Sequence, residues 1–406
     1  MVMRSLRSLS VFVPFLVASV SAFSSVPEGS PSPSPSPSPS PSPSPLPPPV
    51  VDLFFGTGGS SSNVLLLNDG NGGFAGEEMP GTALETTSVA RGDFNGDGTP
   101  DLLLGNRYTG WDNAPNQLLL GNGDGGFDDP IDLNGTDKLS TCGVAVGDVD
   151  GDGFDDLVFA NGNGCSNGAK QESSIMYGKG GTVFEAPVVL PGGELDGTSA
   201  VIGDVTGDGM NDIVLGFQLY GGAKLLKNNG DGTFDVVTLT EKYVNAIGLH
   251  DMNGDGHLDL VLACYLQNNI LFLNPGDGNF TTSVELPKVG SSSGSSDLAI
   301  GDMDGDGAPD VVFCGTYDNW VLWNKPDAHD GDDFFDYYQV VGPRTDGAVA
   351  LGDVYGSGYL DIVLGGSNYG GESNVVENRG NRGFGRVFKL DQAELKNKYV
   401  KDIMLL

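Results

Sequence analysis

Six times along this chain the same nine-residue pattern recurs: aspartate at position 1, an oxygen-bearing side chain at 3 and 5, glycine at 6 and aspartate at 9. The copies are DFNGDGTPD from Asp93, DVDGDGFDD from Asp148, DVTGDGMND from Asp204, DMNGDGHLD from Asp251, DMDGDGAPD from Asp302 and DVYGSGYLD from Asp353. Their first aspartates are 55, 56, 47, 51 and 51 residues apart. A unit of that length buries its apolar face only against its neighbours, so the chain must stack repeats into a solenoid or a ring. A doubly wound α/β domain is excluded.

Each copy lies between two apolar runs of strand length. CGVAVG (142–147) and DLAIG (297–301) precede it; DLVLA and DIVLG follow it. Call these strands A and B. A third run then enters a Gly-rich turn, as in NQLLLGNGDGGF, KLLKNNGDGTF, ILFLNPGDGNF and NVLLLNDGNGGF, which reads as strand C, a tight hairpin and strand D. Four antiparallel strands per unit of about 50 residues make a β-propeller blade. The ends of the chain complete the count. VVDLFFG (50–56) and NVLLLNDGNGGF (63–74) supply B, C and D without an A strand, and KYVKDIMLL (398–406) supplies an A strand without a B. The expected fold is therefore all-β, a seven-bladed propeller whose ring is closed by the N- and C-terminal strands, so that no sheet edge is left open. Six blades with frayed ends is the alternative.

The acidic loop, the apolar strand after it and the GNGDGGF-type turn together resemble the FG-GAP/VCBS repeat family, whose calcium-bearing blades form integrin α-subunit heads, some seven-bladed lectins and some secreted polysaccharide lyases. The resemblance covers essentially residues 50–406. The Gly-Ala-Pro element of integrin repeats is not regularly present, so integrin-type adhesion is not implied.

Clustered carboxylates repel unless a cation neutralises them. Side chains at positions 1, 3, 5 and 9, the carbonyl of position 7 and water offer the six to eight oxygens that Ca2+ takes. The full sets are Asp93, Asn95, Asp97 and Asp101; Asp148, Asp150, Asp152 and Asp156; Asp251, Asn253, Asp255 and Asp259; and Asp302, Asp304, Asp306 and Asp310. Asp204, Thr206, Asp208 and Asp212 form a weaker fifth site, because Thr206 brings a neutral oxygen. Tyr355 and Ser357 leave the sixth loop without a tight site. An EF-hand is excluded, since its position 12 must be glutamate. Here it is Leu104, Phe159, Leu215, Leu262, Phe313 and Leu364.

Residues 1–23 read as a secretory signal, with Arg4 and Arg7 ahead of the apolar run VFVPFLVASVSAF. Residues 24–49 form a Ser/Pro-rich linker that alternates strictly from Ser30 to Pro45, a polyproline II spacer about 60 Å long and open to O-glycosylation. The expected location is extracellular. The net charge of −34 opposes nucleic acid and anionic membranes as partners, and no insertion into the membrane is expected after signal cleavage. Of the four cysteines, Cys142 and Cys165 flank one strand-loop-strand unit and are expected to form a disulfide; Cys264 and Cys314 end apolar strands and read as buried thiols. Asn134 and Asn279 lie in glycosylation sequons.

The B–C loops carry aromatics. Tyr108 with Trp111 and Tyr317 with Trp320 are the candidate ligand surface, whereas Tyr220, Tyr265 and Tyr369 are expected to pack between blades. For catalysis the signals are few: three histidines (His250, His257 and His329), no Gly-x-Ser-x-Gly elbow, and carboxylates already accounted for by the metal loops. The expectation is a secreted, monomeric calcium-binding propeller acting as a binding or adhesion module for glycan or protein. A secreted polysaccharide lyase-like enzyme is the alternative.

Overall fold

The computed structural model describes residues 51–406 except 60, 71–72, 108–113, 163–170, 194, 219–220, 288–293, 316–317, 327–333, 344, 346, 367–371, 391–394 and 396–397. The proposed signal and linker lie outside the described residues. The described chain forms 28 strands in seven four-stranded antiparallel sheets. Blade 1 joins the innermost strand Tyr399–Leu405 to Leu53–Gly58, Val64–Asn68 and Phe74–Glu78. Blades 2 to 7 follow in chain order, with innermost strands Thr86–Gly92, Thr141–Gly147, Asp196–Gly203, Val244–His250, Ser295–Gly301 and Val349–Gly352. The register of the closing pair runs from Leu53 opposite Leu405 to Gly58 opposite Tyr399. The two termini thus complete the seventh blade, and the six-blade alternative is set aside.

Second strands are apolar on both faces because both faces are covered. In blade 2, Leu102 and Leu104 pack with Phe54 and Val89, while Leu103, one residue out of phase, packs with Val144 and Leu157 of blade 3. A period of two with apolar residues at every position is therefore what a sheet between two sheets demands. The close approach sets one glycine: a Cβ on Gly248 would lie 2.6 Å from Ile300 Cδ1 of the next blade. Outermost strands are half solvated, as in Phe234–Thr240.

Innermost strands carry bulges, at Thr86/Ser88, Thr141/Gly143, Gly197/Ser199, Val244/Ala246 and Ser295/Asp297. The side chains released there tie neighbouring blades. Thr198 Oγ1 donates to Val244 O at 2.8 Å, and Asn245 Nδ2 to Ser295 O at 2.8 Å. The buried carboxylate of Asp297 accepts Val349 N at 2.8 Å, and that of Asp402 accepts Val89 N at 2.8 Å across the ring closure.

A second tie sits at the end of strand C. Asn68, Asn228, Asn274, Asn324 and Asn378 each donate Nδ2 to the carbonyl of position 2 in the preceding blade's acidic loop, at 2.6–2.8 Å; the acceptors are Val354, Val149, Val205, Met252 and Met303. Blades 2 and 3 have Gly121 and Gly178 in that place. Cys142 is disulfide-bonded. Cys165, its expected partner, lies outside the described residues, and Cys264 and Cys314 are buried thiols, as expected.

Asn274→Ala leaves the Val205 and Leu258 carbonyls without their donor. Such a loss costs about 1–3 kcal/mol. The expected outcome is a clear fall in Tm by calorimetry, and an unchanged Tm would show that water replaces the carboxamide freely.

Candidate metal centre

All six acidic loops join an innermost strand to its second strand at one end of the ring, and they share one internal scaffold. Position 1 accepts the amide of position 6 on Oδ2, at 2.8–3.0 Å, from Asp93 through Asp353. Position 5 accepts the amide of position 7 in the first five loops, at 2.7–3.0 Å. Each is a local side-chain-to-backbone turn, which is why Asp and Asn are the residues used. The glycine at position 6 has positive φ in every loop, such as +82° at Gly98.

Position 9 has a role that the spacing alone did not reveal. Asp101, Asp156, Asp212, Asp259, Asp310 and Asp361 are almost completely buried. One oxygen accepts the amide of position 2, at 2.7–3.1 Å. The other accepts the first amide of the C–D turn, from Gly121, Gly178, Asn228, Asn274, Asn324 and Asn378, at 2.7–2.8 Å. Position 9 is thus a clamp between the two loops at this end of each blade. Burial pushes these carboxyls up despite the amides: Asp156, Asp259 and Asp361 to about 6, and Asp310 to about 7.

The donor chemistry fits a hard divalent cation. One oxygen each from Asp148, Asp150 and Asp156, and one each from Asp302, Asp304 and Asp306, lie within 4.8 Å of one another. In the Asp93 and Asp251 loops position 3 is a carboxamide, and Asn95 and Asn253 donate to Asp97 and Asp255 at 2.8 and 2.9 Å. Asp204, Asp208 and Asp212 occupy the same scaffold with Thr206 between them. In the sixth loop Tyr355 turns inward onto Phe388, ring centroids 4.9 Å apart, and contributes no carboxylate. Two loops also meet basic side chains: Lys179 lies 3.3 Å from both Asp150 and Asp152, and Arg382 lies 2.6 Å from Asp304.

A cleft of about 310 Å³ opens between the Asp93 and Asp148 loops. Asp93, Asn95 and Asp155 line it together with Phe94, Phe154 and Phe184. Phe94 and Phe184 meet edge to face at 6.1 Å, and Phe154 is 47% exposed. Burial and the neighbouring Asp148 and Asp93 hold the Asp155 carboxyl above the usual range. Phe154 stands at position 7 of its loop, whose expected contribution is only a backbone carbonyl. Of the aromatics expected as a ligand surface, Tyr108, Trp111 and Tyr317 lie outside the described residues. Trp320 is corrected: it is 5% exposed and stacks on Phe313 at 5.7 Å, because strand C inserts it between blades. Tyr265, expected to pack, is 43% exposed.

Residues 50–104 and 251–313 match the family described as FG-GAP-like repeat. These two stretches are FG-GAP-like repeats set in a seven-bladed β-propeller. No curated protein sequence matches it. Among solved structures, BBS1N in complex with ARL6DN, soaked with lead, is 16% identical with a TM-score of 0.46, over 76% of this chain and 82% of that one. The mercury-soaked crystal of the same complex gives 13% and 0.47, over 76% and 83%. The V. cholerae biofilm matrix protein Bap1 gives 15% and 0.39, over 71% of this chain and 43% of that one.

The raised position 9 carboxyls set a pH dependence. For Asp156, Asp259 and Asp361, at about 6, and Asp310, at about 7, the folded pKa exceeds the unfolded value near 3.9, so they stabilise the fold below about pH 4 and that contribution is lost as pH rises through 6 to 7. Protein stripped of metal by EDTA should therefore melt higher at pH 5 than at pH 8. A Tm that is flat or falls on acidification over that window would refute the assignment.

Proposed function

We propose that this propeller is an extracellular binding module, stabilised by Ca2+ in its acidic loops, that takes a glycan or protein ligand on its loop-bearing surface. The observation that carries the reading is the convergence of the Asp148, Asp150 and Asp156 oxygens and of the Asp302, Asp304 and Asp306 oxygens on single points of a rigid ring. Hard anionic oxygens in that number are what Ca2+ accepts and more than Mg2+ takes from protein. Four loops have the full ligand set, the Asp204 loop is weaker, and the Asp353 loop is left out. The signal-like N-terminus, the Ser-Pro spacer and the acidic surface all suit an extracellular setting rich in calcium.

The cleft between the Asp93 and Asp148 loops supplies a place for a ligand. Apolar ring faces beside acceptor-rich carboxylates and a carboxamide suit the C–H face and hydroxyl donors of a sugar, or a polar loop of a protein. Blades 3 to 7 and blade 1 are tied in series through the asparagine ends of strand C.

Calcium titration of EDTA-stripped protein by calorimetry should show several sites, and saturating calcium should raise Tm by well over 5 °C. An unchanged melt would remove the metal from the reading. A glycan array and an extracellular-protein screen, each repeated with Phe154→Ala, should show a ligand whose binding falls at least tenfold in the variant. Retained affinity would move the ligand to another face.

A further inference from the structure

Blade 7 departs from the repeat twice. Its acidic loop has Tyr355 and Ser357 where the others hold ligand oxygens, and its C–D turn reads NRGNRGF where blades 2, 4 and 5 read GNGDGGF, NNGDGTF and NPGDGNF. The turn places Arg382 opposite Gly125, Gly232 and Gly278, all left-handed, with φ of +88°, +83° and +65°. Arg382 takes φ +61° after Asn381 at +50°. An L side chain resists that backbone, so what the side chain reaches must compensate.

It reaches the preceding blade. Arg382 Nε donates to Asp304 Oδ2 at 2.6 Å, a terminal nitrogen donates to Asp336 at 2.7 Å, and the other lies 3.6 Å from Asp306. The guanidinium lies 5.5 Å from the ring centre of Trp323. Asp304 and Asp306 are positions 3 and 5 of the blade 6 loop, and Asp336 lies on that blade's outermost strand, Phe335–Val340. The arginine therefore spans the seam between blades 6 and 7 and occupies one oxygen of a candidate ligand, while Asp302, Asp304 and Asp306 still converge.

The charges fall into a pattern. The Asp93 and Asp251 loops have asparagine at position 3, hence three carboxylates, and among the described residues they form no ion pair. The Asp148 and Asp302 loops have aspartate there, hence four, and those are the loops that meet Lys179 and Arg382. The Asp204 loop, with Thr206, has three. Counted over positions 1, 3, 5 and 9 and the basic side chain that meets them, every loop with a candidate site thus offers three net negative charges, and Asp155 at position 8 adds one more to the Asp148 loop. Lys179 belongs to the same blade as its loop; Arg382 does not.

We propose that Arg382 is a resident counter-charge of the blade 6 calcium site, offsetting the carboxylate at position 3, and at the same time the strap that holds blade 7 to blade 6. This inference rests on the calcium reading above, and its two halves are measured separately. Tryptophan-sensitised terbium(III) luminescence, displaced by Ca2+, reports on blade 6, which contains Trp320 and Trp323; calorimetry in EDTA reports on the strap. Arg382→Gln should raise calcium affinity at this site about tenfold, since a unit positive charge leaves the ion's neighbourhood, and should lower the metal-free Tm. Arg382→Gln combined with Asp304→Asn restores three net charges, as in the Asp93 loop. Its affinity should return towards the parent value while the metal-free Tm stays low. Unchanged affinity and Tm in Arg382→Gln overturn the proposal, and a fall in affinity overturns the counter-charge half by making the arginine an aid to the ligand. A parent protein that binds no calcium removes the metal reading and the counter-charge with it, and the metal-free melts then decide the strap alone.

Discussion

A carboxylate taken wholly out of water, with a backbone amide on each oxygen, joins the two loops at one end of every blade except blade 1. Burying an ionised carboxyl is costly, and hydrogen bonds to charged groups, at about 1.5–3 kcal/mol each, offset part of that cost. The clamp survives where the rest of the pattern has gone. Asp361 keeps its bonds to Val354 and Asn378 in a loop that has lost its acids at positions 3 and 5. The last aspartate of the repeat is therefore first a structural group. A metal site is laid over it by positions 1, 3 and 5.

The clamp also makes the loops part of the ring. The amide on its second oxygen belongs, in blades 4 to 7, to the same asparagine whose carboxamide crosses to the previous loop. Every acidic loop except the Asp93 loop is thus bonded both to its own turn and to the next blade's turn. In a linear array such nearest-neighbour terms leave frayed ends. Here Asn68 reaches Val354 and Asp402 reaches Val89, so blade 1, built from both termini, is bonded to the blade on either side of it.

Period, strand count and closure were legible because they rest on local patterns: a fixed interval, apolar runs bounded by glycine, and unpaired half-blades at the two ends. The EF-hand exclusion held for the same reason, since Leu104, Phe159 and their counterparts are buried strand residues. What escaped was whatever depends on a partner far along the chain. The asparagine that opens KNNGDG or LNPGDG is plain in the sequence, but its acceptor, 69 residues away for Asn274, is fixed only by blade stacking. Arg382 and Asp304 are 78 residues apart. Trp320 was misplaced because an aromatic next to a loop looks exposed until the register of WVLW against its neighbour shows which side it faces.

The same scaffold decides what a cation could add. Position 1 oxygens already accept loop amides, so the loop has its shape before any ion arrives, and an ion would find its donors oriented rather than having to order them. Preorganisation of this kind moves the benefit of binding from folding the loop to relieving repulsion among its acids. Bound at a hundred times its dissociation constant, one ion would add about 2.7 kcal/mol, a sizeable share of the roughly 5–15 kcal/mol by which domains are stable. In loops that gather this many carboxylates, a cation bound in one would also ease the repulsion felt by its neighbour. The ring would thus convert local charge relief into cohesion between blades, and the Arg382 guanidinium at the blade 6–blade 7 seam ties in the blade whose own acidic loop has least to offer a metal.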